Sequence, residues 1–176
     1  VLAAGAWTGQ VSKLFGLLLP VRPGKGYSVE VPKFGLRSAV NLSDAKVAVT
    51  PFEHRLRLAG TMEFGGLDEN INQVRVDAIL RAPRSYFRGW EPPTQQVTAR
   101  AGMRPMTPDG LPIIGRIGPM SNAYVSTGHG MMGVTLAPGT ASALTELILH
   151  DRQSPALEPF SAERFTGARR AVHSAA

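Results

Sequence analysis

The sequence contains no cysteine in its 176 residues. Disulfide frameworks, thiolate zinc sites and cysteine nucleophiles are therefore excluded together, and the composition fits a reducing compartment. Long hydrophobic runs are missing as well: the longest, residues 14–21, is broken by Gly16 and Pro20 and falls well short of the roughly 20 residues that span a bilayer. It is also not terminal and has no cleavage pattern, so it is not a signal peptide. Redox chemistry in such a chain would need a cofactor.

Charge is biased toward basic residues, with a formal net charge of +6 and a pI of about 10.3. The arginines are scattered, and only Arg81, Arg84 and Arg88 share a helical spacing, which we interpret as a solvated helix face. No interleaving of aromatic and basic residues and no recognition motif accompanies the charge. The sequence therefore predicts no nucleic-acid partner.

The first third of the chain changes from a helical to a β-type pattern. Residues 1–7 read as a buried strand that enters a glycine turn, and because the chain starts without Met in this strand, we expect a fragment of a longer protein. Residues 8–19 carry apolar residues at helical spacing, with Thr8 as the expected N-cap. Short β-type runs then follow at residues 26–31, 39–42, 46–51 and 55–62, and they predict an antiparallel sheet.

The remainder alternates helices and strands. A helix is predicted over residues 72–88, capped by Asn72 and kinked or split by Pro83. Strands are expected at residues 96–104 and 123–127, and residues 111–114 form a further apolar run. A closing helix follows, with Ala137, Ala141, Leu144 and Ile148 on one face, and the tail 151–176 is expected to fray at its end. The predicted fold class is α+β, an antiparallel or mixed sheet with flanking helices.

A glycine loop, Gly128-His129-Gly130-Met131-Met132-Gly133, lies between the last strand and the closing helix and matches the dinucleotide-binding spacing. That fingerprint also needs a second parallel strand about 20 residues on, whereas here Asp151 is followed by a proline-rich tail. The Rossmann interpretation of the loop is therefore not favoured. Glycines followed by a helix N-terminus still allow close approach of a negative group, although they can also simply form a tight turn.

Two segments together resemble the signature of D-amino acid dehydrogenases. They are Gly102-Met103-Arg104-Pro105-Met106-Thr107-Pro108-Asp109-Gly110-Leu111-Pro112-Ile113-Ile114-Gly115 and Ser126-Thr127-Gly128-His129-Gly130. Residues 1–7 resemble the strand by which such flavoproteins return to their FAD domain, and residues 23–28 resemble the entry to their substrate sheet. The resemblance extends to about residue 165.

The resemblance implies the C-terminal part of a two-domain FAD-dependent oxidoreductase. Residues 1–20 would end an FAD-domain strand and connect to the next domain, residues 21–104 would form the substrate-binding sheet with helix 72–88, and residues 105–150 would return to the FAD domain. Hydride would pass from the α-carbon of a D-amino acid to flavin N5, and the imino acid would hydrolyse to a 2-oxo acid and ammonia. Most FAD contacts would lie in a missing N-terminal domain, so the fragment alone is expected to be inactive.

Site residues follow from the positions in the motif. Arg104 is similar to the arginine that binds the substrate carboxylate, which a planar guanidinium can hold bidentately; otherwise it is a surface or ion-pair residue. Gly128, Gly130, Met131, Met132 and Gly133 resemble the loop that faces the flavin, although the Met side chains can simply pack. His129 is expected to line the flavin or substrate, or to hydrogen-bond a loop carbonyl.

Weaker candidates are Tyr27, assigned to substrate binding, and His54. A tyrosine in a strand is more often a core residue. Asp109 is expected to form a turn with Gly110. No metal ligands and no catalytic acid or base are predicted.

Several alternatives remain open. An oxidase or imino acid dehydrogenase on the same fold, with glycine-, sarcosine- or proline-like substrates, has the same sequence signals, and a non-catalytic binding module is the alternative of a different class. The family implies a respiratory electron acceptor and hence a peripheral association with the inner membrane from the cytoplasmic side.

Overall fold

The structure is a computed structural model and describes residues 1–95 and 97–165. In chain order its helices and strands are α1 (Thr8–Val11), β1 (Arg22–Pro32), β2 (Val40–Leu42), β3 (Val47–Pro51), β4 (Arg55–Glu63), α2 (Gln73–Arg81), β5 (Ala99–Met106), β6 (Ile113–Arg116), β7 (Tyr124–Thr127) and α3 (Gly133–His150). Short 3₁₀ helices occupy Gly5–Trp7, Ser12–Phe15, Ala82–Ser85, Pro155–Phe160 and Ala162–Phe165. The α+β class is confirmed. Gln96 and the C-terminal end, where fraying was predicted, lie outside the described residues.

The chain divides into two compact units. Unit 1 contains Val1–Gly24 and Arg104–Ala176, and unit 2 contains Lys25–Met103. The assignment of these segments to FAD and substrate domains stays a prediction.

Unit 2 is built on a five-stranded sheet in the order β2-β3-β4-β1-β5, and the pairs β2/β3, β3/β4 and β4/β1 are antiparallel, as predicted. Side chains alternate between the faces of a strand. In β4, Leu56 and Leu58 are fully buried while Arg55 and Arg57 are exposed. The buried face packs against α2 in one core, formed by Tyr27, Val29, Val31, Leu42, Val47, Val49, Leu56, Leu58, Val76, Ile79, Leu80 and Trp90.

Helix α2 begins after its predicted cap, Asn72, and ends just before Pro83, which is predicted to kink or split it. The Asn72 side chain accepts a hydrogen bond from the Arg75 N–H at 3.4 Å, which satisfies one amide of the first turn. The α-helix ends at Arg81 and continues as a 3₁₀ turn over Ala82–Ser85. Pro83 explains this change, because proline lacks an N–H and its ring clashes with the carbonyl four residues earlier. The predicted helix is therefore split, as expected.

Unit 2 also contains an ionic cluster around a buried lysine, which the sequence does not reveal. The Lys25 side chain is only 2% exposed, and its Nζ lies 3.3 Å from Glu63 Oε1 and 3.0 Å from Asp68 Oδ1. The Tyr27 hydroxyl donates to Glu63 Oε2 at 2.9 Å, and Arg75 Nε lies 2.9 Å from the same oxygen. The hydrogen bond from Tyr27 lowers the pKa of Glu63 below its ordinary 4.5, and Lys25 lowers it further. Desolvation acts in the opposite direction but does not cancel these effects. For Lys25, desolvation acts to lower the pKa, but Asp68, Glu63 and Tyr27 together raise it.

This cluster predicts acid sensitivity. A carboxyl whose pKa is lower in the folded state stabilises the fold above its unfolded pKa, and that contribution is lost as the pH falls through the folded value. We expect the melting temperature of the protein to fall as the pH drops below about 4.5, and Glu63→Gln to lower it at neutral pH and flatten this acid limb. Melting curves by circular dichroism across pH 3–8 would measure both effects. Glu53→Gln, at an exposed carboxyl, is the matched control, and an unchanged acid limb in Glu63→Gln would contradict the assignment.

Unit 1 is built on an antiparallel hairpin of β6 and β7, with Ile113 opposite Thr127. Neighbouring strand residues point to opposite faces, so Ile113 and Ile114 enter different cores. Ile114 packs with Tyr124, Leu144, Leu147 and Leu157 on the α3 side. Ile113 packs with Val21, Ile117 and Val125 on the other side.

Three local predictions for unit 1 are wrong. Residues 1–7 do not form a strand: only Leu2 bridges Val125, in parallel, and Gly5–Trp7 is a 3₁₀ helix. The helix predicted over residues 8–19 is α1 plus a 3₁₀ turn that ends at Phe15, because Gly16 adopts a left-handed φ of +69°. Thr8 does not cap α1; its hydroxyl instead lies 2.9 Å from that of Thr127. A tertiary contact explains this last difference, because Thr8 and Thr127 are 119 positions apart in the sequence.

Apolar residues at helical spacing are only partly buried in two segments. Leu14, Phe15 and Leu18 are 83%, 57% and 56% exposed, so they do not form a buried stripe in this chain. In α3 the buried residues are Leu144 and Leu147, whereas Ile148 is exposed and Ala137 and Ala141 face away from the core. The core that α3 shares with the hairpin contains Ala143, Leu144 and Leu147. Spacing alone does not show which face and which turns of a helix will be covered.

Candidate functional site

The two motif segments, separated in sequence, are adjacent in unit 1. The amide of Gly130 donates to the carbonyl of Pro105 at 3.0 Å, and the strands β6 and β7 that carry their ends are paired. Pro105 directly follows Arg104, so the glycine loop starts beside the predicted carboxylate-binding arginine. The structure therefore places Arg104, His129 and the five predicted loop residues in one unit.

Gly128 is required at its position by both backbone and space. Its φ is +79°, a conformation that L side chains rarely adopt. A Cβ atom there would lie 2.6 Å from Thr107 Cγ2 and 3.4 Å from the Ile113 N. Gly128 therefore allows the loop to turn sharply against the segment after Arg104. Its role in this structure is steric, and contact with a cofactor stays a prediction.

The loop leads directly into the N-terminus of α3. The Met132 amide donates to the His129 carbonyl at 2.9 Å, which turns the chain into the helix. The helix start has no side-chain cap and no acidic residue in its first turn. The first amides of a helix lack intrahelical partners and lie at the positive end of its dipole. This end of α3 therefore favours a hydrogen-bond acceptor or an anion.

Apolar side chains around this helix start are open to solvent in this chain. Met131 is 74%, Met132 51% and Val134 92% exposed. The predicted flavin-facing methionines are thus not core residues of the described structure, which removes simple internal packing as their explanation.

His129 bonds to a side chain that the sequence did not indicate. Its Nε2 lies 3.0 Å from Thr140 Oγ1, in the second turn of α3. Burial lowers the pKa of His129 below 6.5, so the imidazole is neutral at pH 7. No sequence signal links a histidine to a threonine 11 residues later. The hydrogen bond to a loop carbonyl, one of the predicted alternatives, is not the contact observed for Nε2.

The neutral state of His129 has a measurable consequence. Because its pKa is lower in the folded state, the unfolded chain binds more protons near pH 6, and stability falls as the pH drops through about 6.5. We expect the His129 Cε1 proton to titrate below pH 6.5 in NMR spectra, and Thr140→Val to destabilise the fold by about 1 kcal/mol. His54, which is 84% exposed, is an internal comparison. A His129 resonance that titrates above 6.5 would contradict the buried, uncharged assignment.

Arg104 is partly buried in β5. Burial lowers the pKa of its guanidinium, but an arginine stays charged at neutral pH in proteins. A partly desolvated guanidinium at the end of a strand suits the binding of a carboxylate. That role stays a prediction.

Asp109 forms a turn, as expected. The Leu111 amide donates to Asp109 Oδ1 at 3.1 Å, and the Gly110 amide donates to the Thr107 carbonyl at 3.3 Å. The structure adds Arg164, whose Nε lies 2.7 Å from Asp109 Oδ2. The Arg164 hydrogen bond lowers the pKa of Asp109, with a smaller contribution from the Leu111 amide. Asp109 is thus a structural anion that ties the motif turn to the tail.

Tyr27 and His54 belong to unit 2. Tyr27 is 1% exposed in the unit 2 core, with its hydroxyl bound to Glu63. His54 is solvent-exposed beside Glu53, with Nε2 and Oε1 3.5 Å apart. These surroundings give Tyr27 a structural role, and its proposed contact with substrate stays untested.

Among residues 1–95 and 97–165, no group of three or more His, Cys, Asp or Glu side chains could hold a metal ion. In the same part of the chain, none of the helices combines the length and apolarity needed to cross a bilayer. No strand follows β7 in the described residues.

Comparison with known proteins gives consistent relatives. Residues 1–147 match the family described as FAD dependent oxidoreductase. The D-amino acid dehydrogenase of Vibrio cholerae serotype O1 is 41% identical over 155 residues, which are 85% of this chain but 36% of that protein. The chain thus spans about a third of the length of the curated relatives it matches.

Solved structures agree with this grouping. Glycine oxidase from Geobacillus kaustophilus matches with a TM-score of 0.75 and 29% identity, over 90% of this chain and 43% of that one. Iminodiacetate oxidase from Chelativorans sp. BNC1 matches with a TM-score of 0.75 and 26% identity, over 90% of this chain and 44% of that one. L-proline dehydrogenase from P. horikoshii, at 22% identity and a TM-score of 0.77 over 94% of this chain and 46% of that one, shares the fold. The chain therefore belongs to the FAD-dependent oxidoreductase family.

Proposed function

We propose that the protein containing this chain is an FAD-dependent D-amino acid dehydrogenase, which converts D-amino acids to 2-oxo acids and ammonia. The observation that carries the proposal is the Gly130 amide bound to the Pro105 carbonyl at 3.0 Å. It holds a candidate carboxylate-binding arginine beside a glycine loop and an uncapped helix N-terminus. The 41% identity to the Vibrio cholerae D-amino acid dehydrogenase supports the substrate class.

The residues present fit part of a flavin site. The start of α3 has free donor capacity and no acidic side chain in its first turn, and His129 is neutral and bound to Thr140. A negative or acceptor-rich edge, such as the pyrimidine edge of a flavin, meets no repulsion there. We propose that this loop holds that edge through the amides of Met131 and Gly133, because those of Gly130 and Met132 already donate to Pro105 and His129. Gly128 would shape the approach. FAD, when bound, supplies the acceptor for the electrons of the amino acid.

This chain's own residues would orient the substrate. Arg104 would bind the carboxylate with two parallel N–H donors, which fixes the plane of that group and so which face of the α-carbon is presented. The exposed Met131 and Met132 would exclude water next to that carbon once the cofactor covers them. His129 carries no charge at neutral pH, so it would not compete with Arg104 for the carboxylate.

The rest of the protein is expected to supply what this chain does not. The chain covers 36% of the length of the Vibrio cholerae relative, so we propose that most contacts to FAD lie in an N-terminal domain and that this chain alone has no activity. A respiratory electron acceptor and a peripheral position on the cytoplasmic side of the inner membrane complete the proposal.

A second candidate is an amino or imino acid oxidase. The fold likeness to the glycine oxidase of Geobacillus kaustophilus and the iminodiacetate oxidase of Chelativorans sp. BNC1 favours it. Both candidates share Arg104 and the loop, and they differ in the electron acceptor and in the pocket for the side chain.

The direct test is the visible spectrum of the full-length protein under anaerobic conditions. We expect the oxidised flavin band to bleach on addition of D-alanine, and the response to D-proline and glycine to rank the substrates. Reoxidation by air compared with a quinone then separates an oxidase from a dehydrogenase. A bound flavin that none of these amino acids bleaches would contradict the substrate class, and a protein without flavin would favour a non-catalytic module.

A further inference from the structure

Unit 2 has an open groove of about 750 Å³ on the exposed face of its sheet. Ser28, Glu30 and Pro32 line it from one side of β1, every second residue, as expected for one face of a strand. Arg57 of β4 stands opposite Glu30 in the strand register. The other side is closed by Arg100 of β5 together with Pro93, Thr94, Gln95, Val97 and Thr98. All lining residues belong to unit 2, whereas Arg104 and the glycine loop belong to unit 1.

The charges in the groove are not balanced. Its one carboxylate, Glu30, is bound by Arg55, with Nε and Oε1 3.1 Å apart. In the part of the chain that the structure describes, neither Arg57 nor Arg100 has a carboxylate within 4 Å. The groove therefore presents two guanidinium groups whose anion is not supplied by these residues, next to the hydroxyls of Ser28 and Thr98.

Guanidinium groups bind oxyanions with paired N–H donors, and they match planar carboxylates and phosphates in particular. Hydroxyls of serine and threonine can donate to the same oxygens. Pro32, Pro93 and Val97 add apolar walls that suit a short carbon chain. The volume accommodates a molecule of metabolite size.

We infer that this groove is a binding site for a small organic oxyanion, held by Arg57 and Arg100. It is a second anion site of the protein and does not depend on the carboxylate clamp proposed for Arg104. Arg55 keeps Glu30 neutralised, which prevents the acid from repelling the ligand.

The test uses the full-length, FAD-loaded protein with Arg104→Ala, so that the proposed clamp does not contribute. Glutarate is titrated by calorimetry at low ionic strength, because salt screens exposed charges. We expect binding to persist in Arg104→Ala, and to weaken about tenfold or more when Arg57→Gln or Arg100→Gln is added. Arg37→Gln, which removes an exposed arginine outside the groove, should change the affinity less than twofold.

Competition with inorganic phosphate identifies the anion. Displacement of glutarate by phosphate assigns the groove to oxyanions in general, and its absence assigns it to carboxylates. Melting curves confirm that each variant is folded. Glutarate binding that disappears in Arg104→Ala alone, or that survives both Arg57→Gln and Arg100→Gln, would overturn the inference. The first of these outcomes would leave the function proposed for Arg104 standing.

Discussion

Arg104→Ala in the full-length protein is expected to raise the KM for D-alanine by about 100-fold or more while FAD stays bound. The basis is the loss of a charge-assisted, bidentate contact with the substrate carboxylate, which removes about 3 kcal/mol or more of binding. The flavin is expected to remain because its proposed contacts are backbone amides of the loop and groups of an N-terminal domain, and the substitution removes neither. Steady-state kinetics and the visible spectrum measure the two quantities separately.

Matched substitutions separate this role from a structural one. Arg104→Lys keeps the charge but loses the planar fork, so we expect an intermediate KM. Arg152→Ala removes an arginine whose side chain is 74% exposed and whose ion pair with Glu146 is long, with Nη1 and Oε2 3.7 Å apart. This variant should leave the kinetics unchanged. If Arg104→Ala lowers thermal stability and leaves the KM unaffected, Arg104 is a structural residue and the carboxylate clamp lies elsewhere.

Gly128→Ala is expected to destabilise the protein by about 2–5 kcal/mol. Two costs add: a left-handed backbone with a Cβ atom costs about 1–2 kcal/mol, and the clash with Thr107 Cγ2 at 2.6 Å adds about 1–3 kcal/mol of overpacking. Chemical denaturation measures the free energy of unfolding. Weaker FAD binding should accompany the loss, because Gly128 sets the path of the loop into α3.

A second substitution divides the two costs. Thr107→Ser removes the clashing methyl group and keeps the hydroxyl that donates to the Leu111 carbonyl at 2.8 Å. The double variant should regain the stability that the single variant loses to the steric clash, but not the stability that it loses to backbone strain. A double-mutant cycle measures this coupling directly. Gly139→Ala, in α3 with open space around it, should instead stabilise the helix by up to about 1 kcal/mol. Equal effects of Gly128→Ala and Gly139→Ala would contradict this account.

The strands and turns were predictable because their signals are local. Strict alternation in residues 55–60 placed Leu56 and Leu58 on the buried face, as observed. Asn72 caps α2 and Pro83 converts its end to a 3₁₀ turn, since both effects act within one helical turn. The same holds for the Asp109 turn.

Contacts across long stretches of chain were not predictable. Tyr27 was a candidate substrate residue on the strength of its position in a family motif, and its hydroxyl is bound in an ionic cluster with Glu63, 36 residues away. His129 bonds to Thr140, and Arg164 binds Asp109 across 55 residues. Nothing in the spacing of these residues distinguishes them from neighbours of the same type.

Sequence signals were sufficient to predict the α+β class, the antiparallel sheet of unit 2, the family, and the two motif segments that carry Arg104 and the glycine loop. These follow from local backbone preferences, side-chain alternation and motif residues. Three features required the folded structure: the two segments meet at Gly130 and Pro105, Thr8 bonds Thr127 instead of capping a helix, and α3 is covered through Leu144 and Leu147. The physical reason is that burial and pairing depend on which distant element packs against a residue, and a local pattern does not record that partner.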